Sequence, residues 1–487
     1  MRIALVSPKG PLYRHRGGIF GRSLRYGPLT LTTLAAYVPP ELHAEVELLD
    51  EGIQDVDPDR IDADLVGLTL ITGSSVRGYA IADRLRARGK TVVLGGPHPT
   101  LVPDEAQAHA DAVVTGYAEE TWPRLLRDFA AGRLAPRYAQ GQDLSLAGLP
   151  FPRRELLDPA KYFTRAVFEA TRSCAHDCEF CVAPAAWGRK QYQKPVEDVV
   201  EDIRRFGAPK VLFIDLNLVS DPRYASRLFE ALVPLRIRWY GLATTLIGLD
   251  RDLLGLAARS GCAGLLIGLE SLCEASLAKT RKGFNDPERY KALVADLHRH
   301  RIALMGCFAF GLDDDTPDVF EKTARFAVEA AIDLPRFAIV TPFPGTPLHR
   351  RLDAEGRILT RNWELYDAQH VVFQPKHMTV QELEEGHQRA WRHAYRLRSI
   401  ASRLLRSRVD PHLLLAANLG YRFYARNLHR FYTCDWIVGF SPAPPSPLER
   451  AAARGPIAVA APAAGAAAVA APPVAAPEGE PRRAPCA

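Results

Sequence analysis

Apolar positions along the first 140 or so residues fall in short runs, separated by amphipathic stretches of about ten residues. Arg2–Ser7, Glu45–Leu49, Asp64–Leu70, Thr91–Leu94 and Ala112–Thr115 read as buried strands, and Leu29–Val38 and Val76–Arg88 carry helical periodicity. This alternation predicts right-handed crossovers and a doubly wound parallel sheet, whose ligands bind beyond the carboxyl ends of the strands. Turns rich in Gly, Ser and Thr fall at those ends: Thr72-Gly73-Ser74-Ser75, Gly95-Gly96 and Thr115-Gly116. No G-x-G-x-x-G occurs, which leaves dinucleotide binding weakly supported.

After a stretch punctuated by Pro150, Pro152 and Pro159, the strand–helix rhythm resumes. Strands are predicted at Ala166–Arg172, Val211–Asp215, Ile237–Thr244, Leu265–Gly268, Ile302–Phe310 and Arg336–Thr341. Between the first two lies a helix with Pro195 at its start, acids in its first turn, Gly207 as its stop, and a buried stripe of Val196, Val199, Val200 and Ile203. Six such units predict an incomplete (β/α)6 barrel with its chemistry at the carboxyl mouths of the strands. The chain therefore divides into a Rossmann-like α/β domain (1–143), a linker (144–161), a partial barrel of the TIM type (162–346) and a C-terminal mixed, mainly helical region (347–440). Residues 441–487 are Pro- and Ala-rich, too poor in large apolar side chains to fold, and predicted disordered.

Composition narrows the classes without naming one. The formal charge of +6 over 487 residues is modest and gives little support to a nucleic-acid binder. No apolar run approaches the roughly 20 residues of a membrane span, and the N-terminus reads as a strand rather than a signal peptide, so a cytoplasmic protein is expected. In the C-terminal helices, predicted at about Val380–Leu405 and Pro411–Phe431, ten arginines from Arg389 to Arg430 outnumber four acids, with Tyr421, Phe423, Tyr424, Tyr432 and Trp436 among them. A peripheral contact with an anionic membrane is one reading; a solvated face on a helical cap is the other.

Eight cysteines do not make a disulfide framework: Cys262, Cys273, Cys307, Cys434 and Cys486 are scattered. The remaining three are not. Cys174-Ala175-His176-Asp177-Cys178-Glu179-Phe180-Cys181 presents three thiols at a spacing that wraps one face of a four-iron cluster and leaves one iron open. A structural zinc site would need a fourth soft ligand, and no second C-x-x-C or His pair follows; three unrelated core cysteines are the remaining alternative. An open iron can chelate a small molecule and pass it an electron.

This spacing resembles that of the radical S-adenosylmethionine (SAM) enzymes. The first domain, with Gly95-Gly96-Pro97-His98-Pro99-Thr100 and the stretch Asp111–Phe129, resembles the cobalamin (B12)-binding domain fused to many of them; the alternative is a degenerate sheet that holds no ligand. The cobalt-ligating D-x-H-x-x-G motif of other cobalamin proteins is absent, and the common Gly-Glu-Gly-Glu appears here as Gly116-Tyr117-Ala118-Glu119. The resemblance implies that Cys174, Cys178 and Cys181 hold a [4Fe-4S] cluster. It implies SAM contacts from Phe180, Asp215, Asn217, Glu270, Ser271, Gly306 and Gly311, and cobalamin contacts from Thr72, Ser74, Gly95, Gly96, His98, Thr115 and Gly116.

Each has a plainer alternative: Phe180 as a loop anchor, His98 as a turn residue, Asp313–Asp315 as helix caps. No acid–base dyad stands out beyond the cluster and cofactors. The resemblance further implies an electron donor such as flavodoxin or ferredoxin, and methylation of an unactivated carbon of a small-molecule, lipid or natural-product substrate, with Trp363, Tyr366, Asp367 and His370 helping to close the barrel mouth. Two alternatives stay open: a B12-dependent oxidative cyclisation or rearrangement without methyl transfer, and a non-catalytic cobalamin or iron–sulfur sensor.

Overall fold

In the computed structural model, which describes residues 1–10, 26–141 and 143–428, the predicted alternation folds into two parallel sheets. The first contains β1 (Arg2–Ser7), β2 (Glu45–Asp50), β3 (Leu65–Thr69), β4 (Thr91–Gly95), β5 (Ala112–Thr115) and a strand the periodicity does not reveal, β6 (Arg137–Ala139), in the order β2-β1-β3-β4-β5-β6. The strand order reverses between β1 and β3, which opens a crevice at their carboxyl ends. Apolar side chains alternate between two cores, Ala4, Val6, Val66 and Leu94 on one face and Ile3, Leu5, Val93 and Val114 on the other, which is why the strands read as continuous apolar runs.

The second sheet has the order β14-β13-β12-β11-β10-β7. Its members are β7 (Val167–Phe168), β10 (Lys210–Phe213), β11 (Arg238–Ala243), β12 (Cys262–Glu270), β13 (Ala303–Phe310) and β14 (Arg336–Ile339). The single strand expected at Ala166–Arg172 is split: after β7 the chain turns into β8 (Thr171–Arg172), which pairs antiparallel with β9 (Tyr192–Gln193). The cause is Asp215, whose buried carboxylate accepts the amides of Ala170 and Thr171 and the Thr171 hydroxyl (2.7 Å), so the backbone there bonds to a side chain instead of a strand.

Residues 144–161 are not a loose tether. Arg154 is buried, makes a two-pronged bond to Asp202 (2.8 and 2.9 Å) and donates to the carbonyl of Val167. The C-terminal stretch expected as one helix breaks into Val380–Ala394 and Leu397–Leu404, followed by Pro411–Arg426. Three of its arginines make structural bonds, while Arg389, Arg392, Arg398, Arg408 and Arg426 are exposed. Arg403 is buried and bonds to the Ala394 carbonyl and to Asn418, Arg406 caps the carbonyls of Val328 and Glu329, and Arg422 donates to Tyr395. Among the described residues no helix is long and apolar enough to cross a membrane. Arg430, Phe431, Tyr432, Cys434, Trp436 and the tail 441–487, expected to be disordered, lie outside the described residues.

Candidate functional site

Cys174, Cys178 and Cys181 sit on the loop between β8 and the helix Val182–Trp187, at the carboxyl mouth of the barrel. Ser173, held in the left-handed region (φ +65°) with its hydroxyl bonded to the Gly188 carbonyl (2.6 Å), turns the chain into this loop. Cys178 is buried, and burial pushes its thiol up to about 11; that of Cys181 is raised by the same cause. The three thiols neighbour one another on this loop but, among the described residues, do not converge as a preformed metal site, so a cluster would draw them together on binding.

The loop is held from two sides. On one, the segment after the helix Glu274–Lys279 clasps it: the Glu179 amide bonds to the Thr280 carbonyl (3.0 Å), Arg281 pairs with Asp177 (2.6 Å), and the rings of His176 and Phe284 stack at 4.2 Å. On the other, Arg351 grips the buried Glu179 (2.8 Å) and Asp313 (2.6 Å), while Arg357 takes the second oxygen of Asp313 (2.9 Å). The acids Asp313–Asp315 are thereby accounted for. Asp313 and Asp314 are ion-paired, and Asp315 caps the amides of Gly311 and Leu312.

The residues named for SAM separate on inspection. Asp215 is spent on backbone amides and has no free face, so a direct contact is corrected to a supporting one. Gly306 faces the helix layer, where a Cβ would meet Ile332 at 3.0 Å and Leu269 at 3.2 Å, and Gly311 (φ +93°) packs against Leu383 and Phe373; both are packing positions rather than approaches to a ligand. Ser271 is buried and accepts the Cys273 amide. Glu270 pairs with the buried Lys282, whose ammonium stands 5.9 Å from the Phe180 ring. Asn217 is different: it is buried, and neither its amide nitrogen nor its oxygen has a partner, as is also true of the hydroxyls of Ser220 and Thr244 near the ends of β10 and β11. Unmet polar atoms in a buried mouth are what a polar ligand satisfies.

Between the two sheets lies a cavity of about 360 Å³. Its floor runs down one face of the first sheet past Leu5, Gly67, Val93 and Val114, with Tyr37 and Trp122 as walls; at Gly67 a Cβ would lie 3.1 Å from Leu5 and 3.2 Å from Trp122. Its rim holds Gly95, Gly96 and Gly116 on one side and Glu169, Thr171, Arg172, Ile214 and Leu216 of the barrel on the other. Gly96 has φ +100°, and a Cβ there would stand 2.9 Å from the backbone of Leu70. The rim is charged but matched: Arg172 pairs with Glu119 and Glu169 (2.7 Å) and lies 5.0 Å over the Tyr117 ring, which stacks on Trp187 at 5.3 Å. One oxygen of Glu119 remains buried without a partner.

Thr72, Ser74 and His98 are not part of this lining and are corrected to roles in the seam beside it. Ser74 bonds to the backbone of Ile71, and His98 is fully buried on the short helix Pro97–Leu101, between Thr72 (3.3 Å) and Glu105 (3.3 Å). A carboxylate only accepts, so His98 Nε2 carries the proton. Glu105 also accepts the indole N–H of Trp363 (2.9 Å), which ties the C-terminal region to the first domain. Thr115 lies at the end of β5 and is not among the lining residues either. Asp367 and His370, expected near the barrel mouth, form a buried pair (3.0 Å), whereas the walls Leu5, Tyr37, Gly67 and Trp122 and the clasp of Thr280–Phe284 carry no motif. Only the fold brings them into place.

Residues 168–327 match the Radical SAM superfamily, 26–126 the B12 binding domain and 346–440 a domain of unknown function. The chain is 32% identical over 388 residues to the bacteriochlorophyllide d C-12(1)-methyltransferase of Chlorobaculum tepidum, covering 77% of this chain and 84% of that protein. It is 31% identical over 371 residues to the C-8(2)-methyltransferase of the same organism, covering 71% and 80%. The fold is shared with a radical S-adenosylmethionine methyltransferase from Kitasatospora setae solved with cobalamin and a [4Fe-4S] cluster (TM-score 0.59, 18% identity, 73% of this chain and 78% of that one).

Proposed function

The chain belongs to the radical SAM superfamily, among its B12-dependent members, and from that premise we propose that it methylates an unactivated carbon of a largely apolar substrate, a tetrapyrrole. Its cofactors are a [4Fe-4S] cluster, SAM and cobalamin. When bound, they supply one-electron cleavage of SAM and carriage of a methyl group.

The observation that carries the reading is the position of the cavity. It opens from the switch point of the first sheet onto the barrel mouth where the three thiols stand. Cys174, Cys178 and Cys181 would hold the cluster. Asn217, Ser220 and Thr244 would offer their unmet polar atoms to SAM, beside Phe180 and the Glu270–Lys282 pair. The slot past Leu5, Gly67 and Trp122 would take the flat end of the cobalamin tail, with Gly95, Gly96 and Gly116 allowing backbone approach at the rim. The stack of Tyr117 on Trp187 and the seam at Trp363 would limit the entry of water between the domains once the cofactors are bound.

A tetrapyrrole is favoured by the bacteriochlorophyllide specificity of the two Chlorobaculum relatives and by the apolar barrel interior, where Leu212, Leu242, Leu266, Met305 and Ala309 point away from the helix layer. The test is anaerobic turnover of the reconstituted protein with a reductant, SAM and a chlorophyllide. Expected products are 5′-deoxyadenosine and a pigment heavier by one methylene. A pigment lighter by two hydrogens would establish the cyclase alternative instead, and absence of 5′-deoxyadenosine would establish the sensor.

A further inference from the structure

The barrel interior contains a charge that the reaction as described does not use. On β13 the helix-facing residues are Leu304, Gly306, Phe308 and Phe310, so Met305, Cys307 and Ala309 face the lumen. Arg336 on β14 is in register with Cys307, and its neighbour Phe337 packs in the helix-side core, which puts Arg336 on the lumen side with Ala338.

Two carboxylates that face this interior are already matched. Glu169 is neutralised by Arg172 (2.7 Å) and Lys194 (3.9 Å), and Glu270 by Lys282. Half-buried Arg336 has no carboxylate within ion-pair distance among the described residues. The titratable groups near it are the phenols of Tyr26, Tyr395, Tyr421 and Tyr424 and the Cys307 thiol. Burial pushes the thiol up to about 11 and the Tyr395 phenol well above its usual range, so neither supplies a counter-charge at neutral pH. A sheltered guanidinium with no anion is costly, and its fork of N–H donors matches a carboxylate better than any neutral group.

We propose that Arg336 is a specificity-determining residue that binds a carboxylate on the substrate, and that the substrate is an apolar molecule carrying a free acid. The surrounding lumen fits the rest of that description: Leu212, Leu242, Leu266, Met305 and Ala338 offer apolar contact, and a site of this kind uses few polar groups to fix orientation. The carboxylate would seat on the guanidinium and hold the apolar body in one register beneath the barrel mouth, so that the same carbon always faces SAM. The inference rests on the proposed methyl transfer but is tested by binding, which separates the two.

Chlorophyllide a, with one free propionate, and its methyl ester at that propionate are titrated anaerobically into reconstituted wild type, Arg336→Gln and Arg336→Lys, following pigment fluorescence. Cluster and cobalamin absorbance monitors the fold. Wild type is expected to prefer the acid over the ester roughly 10- to 100-fold, the range of hydrogen bonds to charged groups. Arg336→Gln should lose that preference without weakening the ester, and Arg336→Lys should keep part of it. Equal binding of acid and ester by wild type, or an undiminished preference in Arg336→Gln, overturns the assignment. If neither pigment binds wild type, the tetrapyrrole reading fails, and the same comparison with cis-parinaric acid and its methyl ester decides the charge question: acid preference that vanishes in Arg336→Gln supports the assignment, and its absence, or no binding, overturns it.

Discussion

The cysteine loop and the cavity between the sheets lie side by side, yet they are built by opposite means. The loop is local in sequence: three thiols within eight residues, whose spacing alone announces a cluster. Its fixation is long-range and ionic, through Arg351 on Glu179 and Arg281 on Asp177. The cavity has no local signature, being assembled from β1, β3, β4 and β5, four helices and the barrel edge, and its floor is shaped by packing at Gly67 and Trp122. A site made by ligand spacing tolerates change around it as long as the ligands converge. One made by the shape of a core fails when a single side chain grows.

The strongest way to break this comparison is Cys178→Ala. Cluster absorbance and SAM cleavage should both vanish, because a four-iron cluster on two thiols is not retained, while cobalamin affinity measured by absorbance titration stays within a factor of about two. Loss of cobalamin binding in the same variant would show that the two regions are one folding unit. The converse is Gly67→Leu, which puts a side chain where a Cβ alone already reaches Leu5 at 3.1 Å and Trp122 at 3.2 Å. Overpacking of about 1–3 kcal/mol should cut cobalamin affinity roughly 10- to 100-fold with the cluster unaffected.

What could be read beforehand divides along the same line. The strand runs and the barrel are legible because each depends on residues close in sequence. Thr72, Ser74 and His98 were placed at the cobalamin on the strength of their turns, but a turn's position at a strand end does not say which way its side chains point. His98 points into the seam with Glu105. Asp215 was legible as a strand-end acid, not as the acceptor that splits the preceding strand. Gly306 and Gly311 were expected at a ligand, yet their missing side chains make room for Ile332 and Leu383. The arginine-rich helices are partly the surface that their charge suggests, with Arg389, Arg392 and Arg398 exposed, but charge alone does not show that Arg403 and Arg406 are bonded to the carbonyls of Ala394, Val328 and Glu329.

A smaller effect sharpens the ionic half of the comparison. Arg351→Met leaves buried Glu179 and half-buried Asp313 without one partner each, though Arg357 remains on Asp313. Since Arg351 is itself 35% exposed, the cost is that of a screened pair, about 1–2 kcal/mol rather than that of a buried one. The expected outcome is faster loss of cluster absorbance under chelator, with cobalamin retention unchanged. A cluster as durable as in wild type would mean that the clasp of Thr280–Phe284 suffices alone.

The least effect is expected at the seam, where it should touch the cavity and spare the loop. Burial alone would raise the Glu105 carboxyl, but hydrogen bonds from His98 and Trp363 hold it below its usual range. A carboxyl depressed in the folded state binds fewer protons there than when unfolded, so its contribution is present above the unfolded value near 4.5 and is lost as pH falls through that value toward the lower folded one. Trp363→Phe keeps the ring against His98 and removes only the donor, a loss of about 1 kcal/mol at a partly exposed carboxylate. Cobalamin should therefore dissociate a few-fold faster at pH 7, and the gap between variant and wild type should close only as pH falls below the depressed value of the folded carboxyl, where the protonated group no longer holds the indole as strongly. Cluster absorbance should follow the same pH course in both proteins. If the variant instead loses its cluster with its cobalamin, the seam supports the loop as well, and the two regions are less independent than their construction implies.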